Sequence, residues 1–286
     1  MGLPPVIIIG MGRSGTSMLT RFLESLGLFL GVDKRGGNHE SWFFHRLNQW
    51  MLICANATWD NPHNFTFIDN EFRNDFVRVA KRHLRSARRL NYLGWHHFFK
   101  YRDIRDLDFP WGWKDPRNTF TIDVWKEIFP KCKVVHIYRH PLDSAESARY
   151  GKKVNTERKK RNWRWGVREY LLMRCDYQLS ARTGNIHEAL ELWEEYVTKA
   201  LSWSDVFADN LRHVRYETLL EDPVTVMQDL LGFLNMSADK ALISQVAAEV
   251  NLDRKYAFLR NHELVKIYEQ IRGRELIKRL GYGEIG

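Results

Sequence analysis

The chain has 286 residues, 44% hydrophobic and 28% charged, with a mean hydropathy of −0.46, the composition of an ordinary globular protein with a large core. No apolar run approaches the roughly 18 residues of a membrane span, and the three cysteines, Cys54, Cys132 and Cys175, exclude a disulfide framework and fit a reducing compartment. A net charge of +9 and a pI near 9.4 favour anionic partners, although solubility alone accounts for them equally well.

The first predicted element is the β-branched run "PVIIIG", Pro5 to Gly10, which suits a strand buried on both faces of a parallel sheet. It is short and leads straight into a glycine-rich stretch, so a strand is expected here rather than a secretory leader, and the cytoplasm is the expected location. Helical spacing follows: Met18, Leu19, Phe22, Leu23 and Leu26 share a face, and Gly27 supplies the stop. Residues 31–110 are less regular. They hold "NHESWFFHRLNQWML", an Asn-rich loop, and the basic helical stretch "FRNDFVRVAKRHLRSARRL". There Arg78, Arg82, Arg85 and Arg89 are expected on one solvated face, and Phe76, Ala80, Leu84 and Ala87 on another. Beyond them a helix is expected to end before Pro130, followed by the strand "KVVHIY", a turn "RHP" and a helix after Pro141. A third unit has a short strand ending near Tyr216 and a helix opening at Asp222-Pro223. Without repeats or a Ser/Gly/Pro linker, the simplest account is a single α/β domain, mainly a parallel sheet flanked by helices, with 236–286 a helical C-terminal segment.

The stretch "GMGRSGTS" overlays the phosphate-loop pattern G-x-x-x-x-G-K-[ST]. Gly10 and Gly15 fall on the glycines, Ser17 on the hydroxyl and Thr16 on the lysine. Backbone amides around Ser14 to Ser17 would face an anion at a helix N-terminus. The missing lysine weakens an ATP-hydrolysing reading, and Arg13 brings a cation from another side. A metal-dependent site also needs an acid at the end of a neighbouring strand. "KVVHIY" ends in Arg139 and His140, while "FTFID" ends in Asp69 in polar surroundings. An arginine-based, metal-free site suits transfer of a group less charged than phosphoryl.

Arg139 at a strand end and Ser147, eight residues on in the next helix, are a pair able to grip a second phosphate. No His or Cys cluster has zinc-ligand spacing; His136 and His140 straddle a strand and a turn, and His96 and His97 diverge. No metal is expected.

With these motifs in view, the sequence resembles the sulfotransferases that use 3′-phosphoadenosine 5′-phosphosulfate (PAPS). "GRSGTS" is similar to their 5′-phosphosulfate loop, with Gly12, Arg13, Ser14, Gly15, Thr16 and Ser17. "RHPLDSAES" is similar to their 3′-phosphate motif, with Arg139 and Ser147. "WGWKDPR" resembles the Lys-Asp-Pro context of several members, tyrosylprotein sulfotransferases among them. "RYETLLEDP" resembles the segment whose tyrosine, here Tyr216, approaches the adenine, and "IKRLGYG" resembles bacterial members.

The resemblance implies a fold related to P-loop kinases. It also implies in-line sulfuryl transfer from PAPS to a hydroxyl or amine, releasing the bisphosphate PAP. Arg13 and Lys114 are then the cations at the leaving phosphate, with an ion pair to Asp115 as the structural alternative for Lys114. Glu40, in "GGNHES", is the expected base, with His39 and His45 as rivals.

Two other functions compete: a nucleotide kinase or NTPase, and a nucleic-acid-binding module resting on the arginine face and "ERKKRNWRW", Glu157 to Trp165. Nucleic acid is not the expected partner. The acceptor is a small molecule, glycan or lipid. Trp42, Phe43, Phe44, Trp50, Trp59, Trp95, Trp111 and Trp113, gathered on the acceptor side at about 31–110, lean toward carbohydrate or glycolipid, while more than half of them fit plain core. Sequence says nothing of the oligomeric state.

Overall fold

Four consecutive β-branched residues make β1, Val6–Ile9, and all four are buried. In a computed structural model, which describes residues 2–161 and 180–285, this strand lies inside a parallel four-stranded sheet. Its neighbours are β4, Gly112–Lys114, and β5, Lys133–Tyr138, and β6, Leu211–Arg215, completes the order β4-β1-β5-β6. Val6 is in register with both Gly112 and Lys133, and Ile8 with Lys114 and Val135. Two further strands, β2 (Lys34–Arg35) and β3 (Glu40–Ser41), form a separate antiparallel hairpin.

The chain divides into two compact units: residues 1–138 with 196–252, and 139–195 with 253–286. The first holds the sheet. Helix α1, Thr16–Ser25, turns Leu19, Phe22 and Leu23 into a core shared with Val135, Ile137, Val214 and Leu230. Each such side chain stabilises the fold by about 1.5–3 kcal/mol. Gly27 ends the turn at φ 100. The aromatic run after the hairpin, expected to be irregular, is a regular helix, α2, Trp42–Cys54. Asp33 holds its start by accepting from the Phe43 amide at 2.7 Å.

The basic stretch is α3, Asn70–Arg85, with Phe76, Val77, Ala80 and Leu84 buried. The expected four-arginine face is corrected at its end. The helix stops at Ser86, and Arg89 lies buried in α4, Arg89–Phe98, where it donates to the carbonyls of Arg85, Ser86 and Tyr101. It caps the end of α3 as a cation should. Ala87 is exposed. Asp69 ends no strand; it caps α3 by accepting from Phe72 at 2.9 Å. Helix α5, Asn118–Ile128, links β4 to β5.

In the second unit α6, Pro141–Arg161, starts at its proline. The core there gathers Leu142, Ala145, Leu190, Phe258 and Tyr268, and His140 stacks on Phe258 at 4.1 Å. After β6 the chain forms a short helix, Tyr216–Glu221, that the sequence did not announce. Pro223–Leu234 follows, with Asp222 capping as expected. Lys240–Ala247, His262–Ile271 and Glu275–Arg279 are the helices beyond residue 236. Cys54 and Cys132 are free thiols; Cys175, residues 162–165 of "ERKKRNWRW" and the rest of 162–179 lie outside the described residues. No helix among the described residues is long and apolar enough to cross a membrane.

The sheet carries a histidine pair, with His136 buried and His213 half-buried. His136 faces His213 in register, with their Nδ1 atoms 2.8 Å apart. Ser204 donates to the Leu201 carbonyl at 2.8 Å, so it accepts from His213 Nε2 at 3.0 Å. His213 Nδ1 is then the acceptor and His136 Nδ1 the donor. Burial, and then the nearby His213, push His136 well below the ordinary histidine value of 6.5. The folded state therefore refuses a proton that the unfolded chain takes. Stability is full above pH 6.5 and is expected to fall as pH drops below it, by up to about 1.4 kcal/mol per pH unit for one proton. Urea unfolding from pH 7.5 to 5 should give a shallower slope for His136→Gln than for the parent; equal slopes would refute this account.

Candidate active site

The β1–α1 loop bends through two left-handed residues, Arg13 at φ 76 and Gly15 at φ 94. Ser14 is buried, and its amide bonds back to Met11 at 3.3 Å. The first intrahelical bonds of α1 come from Met18 and Leu19 to Gly15, which leaves the Thr16 and Ser17 amides at an open helix start. Thr16, in the lysine position, is buried. Arg13 is exposed on the turn. Tyr216, at the end of β6, puts its ring against Gly15: a Cβ added there would lie 2.3 Å from Tyr216 Cδ2. Ser17 Oγ reaches the carbonyl of Asn38 at 3.0 Å and so ties the loop helix to the hairpin bearing Glu40.

Glu40 meets Lys114 in the interior. Lys114 Nζ donates to Glu40 Oε1 at 3.1 Å, with the residues 3% and 7% exposed. The partner of Lys114 is thus Glu40, not Asp115. His45, from α2, places Nδ1 3.1 Å from Glu40 Oε2 and 3.1 Å from Arg117 Nη1. Arginine only donates, so the Arg117 contact needs the Nδ1 lone pair and the Glu40 contact needs a proton there. A single proton position decides between them. Burial would raise the Glu40 carboxyl, but Lys114, the His45 hydrogen bond and Arg117 outweigh it and hold Glu40 well below the usual carboxylate range. His39, the other rival base, sits at φ 54; partial burial, then Lys34, Arg21 and Lys114, lower its proton affinity.

Asp115 is a strand-end acid after all, on a strand too short to be foreseen. It is fully buried and follows β4, with its amide bonded to the Ile8 carbonyl at 3.3 Å. Its Oδ1 accepts from the Arg117 amide and Nη1 at 3.0 and 3.1 Å, and its Oδ2 from Asn48 at 3.0 Å. Asn48 in turn accepts from Thr121 and Trp125. Among the described residues no three His, Cys, Asp or Glu side chains form a metal-holding group. Arg117 and Asn48 escaped the sequence reading. The signal for Arg117 was its place at the end of "KDPR"; Asn48 had none.

Arg139 and Ser147 belong to the second unit. Arg139 is buried, 3.1 Å from Asp143 and hydrogen-bonded to the Arg254 carbonyl. Trp193 Nε1 donates to its carbonyl at 3.0 Å. Ser147 is half-buried on α6. The aromatic-rich segment divides. Trp111, Trp113 and Phe44 are core, with Phe44 stacked on Trp113 at 3.9 Å, while Trp42, Trp50 and Trp95 keep exposed faces.

A parallel sheet with a phosphate-type loop after its central strand and a buried Lys–Glu pair beside it describes an α/β group-transfer enzyme. Residues 4–240 match the model of the sulfotransferase family, and the chain belongs to that family. Among solved structures it is similar to a sulfotransferase from Alicyclobacillus acidocaldarius, at 18% identity over 91% of this chain and 100% of that one, with a TM-score of 0.46. It is similar also to sulfotransferase STF1 from Mycobacterium tuberculosis H37Rv, at 13% identity over 96% and 78%, with a TM-score of 0.48. A mouse sulfotransferase complexed with PAP aligns at 11% identity over 94% and 66%, with a TM-score of 0.39. No curated protein is similar enough in sequence to count as a match.

Proposed function

We propose that this sulfotransferase takes PAPS as donor and moves its sulfuryl group in line to an acceptor hydroxyl or amine. An acceptor oxygen or nitrogen bonds to sulfur, the bond from sulfur to the bridging phosphate oxygen breaks, PAP leaves, and the acceptor proton goes to Glu40. The observation that carries this reading is the Lys114–Glu40 hydrogen bond, which puts a cation and a carboxylate side by side on β4 and the hairpin next to the loop. Lys114 serves the leaving phosphate and Glu40 the acceptor.

A carboxylate bound to lysine is a weak base. Drawing Lys114 toward the leaving phosphate raises the proton affinity of Glu40 as charge builds there. Arg13 and the amides of Thr16 and Ser17 receive the 5′-phosphosulfate, with Gly12 giving open space beside them. The family resemblance gives Arg139 and Ser147 the 3′-phosphate and Tyr216 the adenine. Residues 31–110 supply the acceptor side of a single catalytic domain, with carbohydrate or glycolipid favoured by the exposed Trp42. The reading needs no metal, and the free thiols Cys54 and Cys132 suit the cytoplasm.

Calorimetry tests the donor. PAP is expected to bind at least about tenfold tighter than ATP–Mg, a difference of about 1.4 kcal/mol. Tighter ATP–Mg binding would turn the assignment toward a kinase.

A further inference from the structure

The hairpin that carries Glu40 also borders a recess of about 430 Å³ in the first unit. That is room for one or two sugar-sized rings. Its aromatic side is built by Phe43, stacked on His83 at 4.0 Å, and by Trp42, which is 37% exposed. The recess leads back to the chemistry through a short chain of contacts. The Trp42 ring meets His45 edge-on at 5.5 Å, and His45 Nδ1 is 3.1 Å from Glu40 Oε2.

The charges around it are unequal. Lys34 is ion-paired with Glu24, and Asp33 spends Oδ2 on the Phe43 amide. Arg46 and Arg88 are both exposed, and among the described residues neither has a carboxylate within 4 Å. Arg46 lies 5.2 Å from the centre of the Trp42 ring. The Arg88 charge reaches inward as well: burial first, and Arg88 in the same direction, lower the proton affinity of His83. Two unneutralised guanidinium groups flanking an aromatic wall suit a ligand with an apolar ring face and a negative substituent.

We propose that this recess selects the acceptor, and that the acceptor is a ring-bearing hydroxyl compound already carrying an anionic group, held by Arg46 and Arg88 while Trp42 packs on its ring. This rests on the sulfotransferase reading and names the substrate class for it. Asn91 at the rim adds a polar contact for ring hydroxyls.

A matched pair of probes tests it: p-nitrophenyl β-D-glucuronide and p-nitrophenyl β-D-glucoside, which differ by one carboxylate. Binding to the full chain saturated with PAP is measured by ligand-observed NMR at low and at high salt. The glucuronide is expected to bind about tenfold tighter or more at low salt, and the preference shrinks at high salt. In Arg46→Gln/Arg88→Gln the two probes become equal. Glucose 6-phosphate against glucose, run alongside, tells a phosphate preference from a carboxylate one. Equal binding of charged and neutral probes in the parent, no binding of any probe, or an unchanged preference in the double variant would each overturn the proposal. PAP affinity is measured on the same samples. If the parent fails to bind PAP, it is the donor reading that fails; if PAP binds while the charge preference is absent, only the acceptor proposal does.

Discussion

Lys114→Met is expected to unfold at a temperature roughly 10 °C below the parent and to lose about 10²–10³-fold in turnover. The stability loss follows from burial. Glu40 is 7% exposed, and without the lysine its charge keeps only His45 and the more distant field of Arg117. Removing one partner of a buried ion pair costs about 3–5 kcal/mol. Adding Glu40→Gln removes the stranded charge, so the double variant should regain most of the lost stability. Turnover should stay low, because both the cation and the base are gone. This separates a structural pair from a catalytic one: a structural pair predicts that rescue of stability brings rescue of activity. The acid limb gives an independent check. Lys114, His45 and Arg117 hold the folded carboxyl below its unfolded value near 4.5. The stabilisation is therefore complete above pH 4.5 and drains away as pH falls from there toward the lower folded value. The parent should lose stability more steeply than Glu40→Gln below pH 4.5. Parallel acid limbs would mean that Glu40 carries no buried charge.

The parts of the molecule that sequence foretold are those with a local cause. Val6–Ile9 is an unbroken apolar run, Lys133–Tyr138 is mostly β-branched and aromatic, and glycine or proline marks the ends of their units. Gly27 and Asp222 punctuate where they should. The parts it missed are set by tertiary packing. Three residues, Gly112–Lys114, are too few for any periodicity, yet they form the strand that places both Lys114 and Asp115. Helix α2 was hidden because its aromatic and aliphatic residues leave little polar face to read: Phe43, Phe44, His45, Leu47, Asn48, Met51 and Leu52 are all buried. Arg89 continued the arginine spacing on paper, but the helix breaks three residues earlier and the side chain turns inward. Lys114 and Glu40 were each picked out by resemblance. Their contact joins positions 74 residues apart, and only the fold brings them within 3.1 Å.

The two glycines Gly12 and Gly15 look equivalent in "GMGRSGTS" but should respond oppositely to alanine. Gly12 has open space: an added Cβ meets nothing within 4 Å, and its φ lies outside the left-handed range. Gly12→Ala should melt within about 2 °C of the parent, the span of a sub-kcal/mol surface change. Gly15 is confined twice. Its φ of 94 costs any L-residue roughly 1–2 kcal/mol, and a Cβ would sit 2.3 Å from one Tyr216 ring carbon and 2.7 Å from another. Gly15→Ala must displace the ring, the loop or both. It should lower the melting temperature by several degrees and weaken PAP binding by about 100-fold or more, since the loop amides and the residue assigned to the adenine move together. The triple contrast identifies the cause. In Gly15→Ala/Tyr216→Ala the clash is gone while the φ penalty remains, so Gly15→Ala should lower the melting temperature less in the Tyr216→Ala background than in the parent, and PAP binding should stay weak. A Gly15→Ala protein with parental melting and parental PAP affinity would mean that the loop yields freely. The coupling of Gly15 to Tyr216 would then be packing without consequence, and the seat for the donor would have to be sought in the Arg13 side of the turn instead.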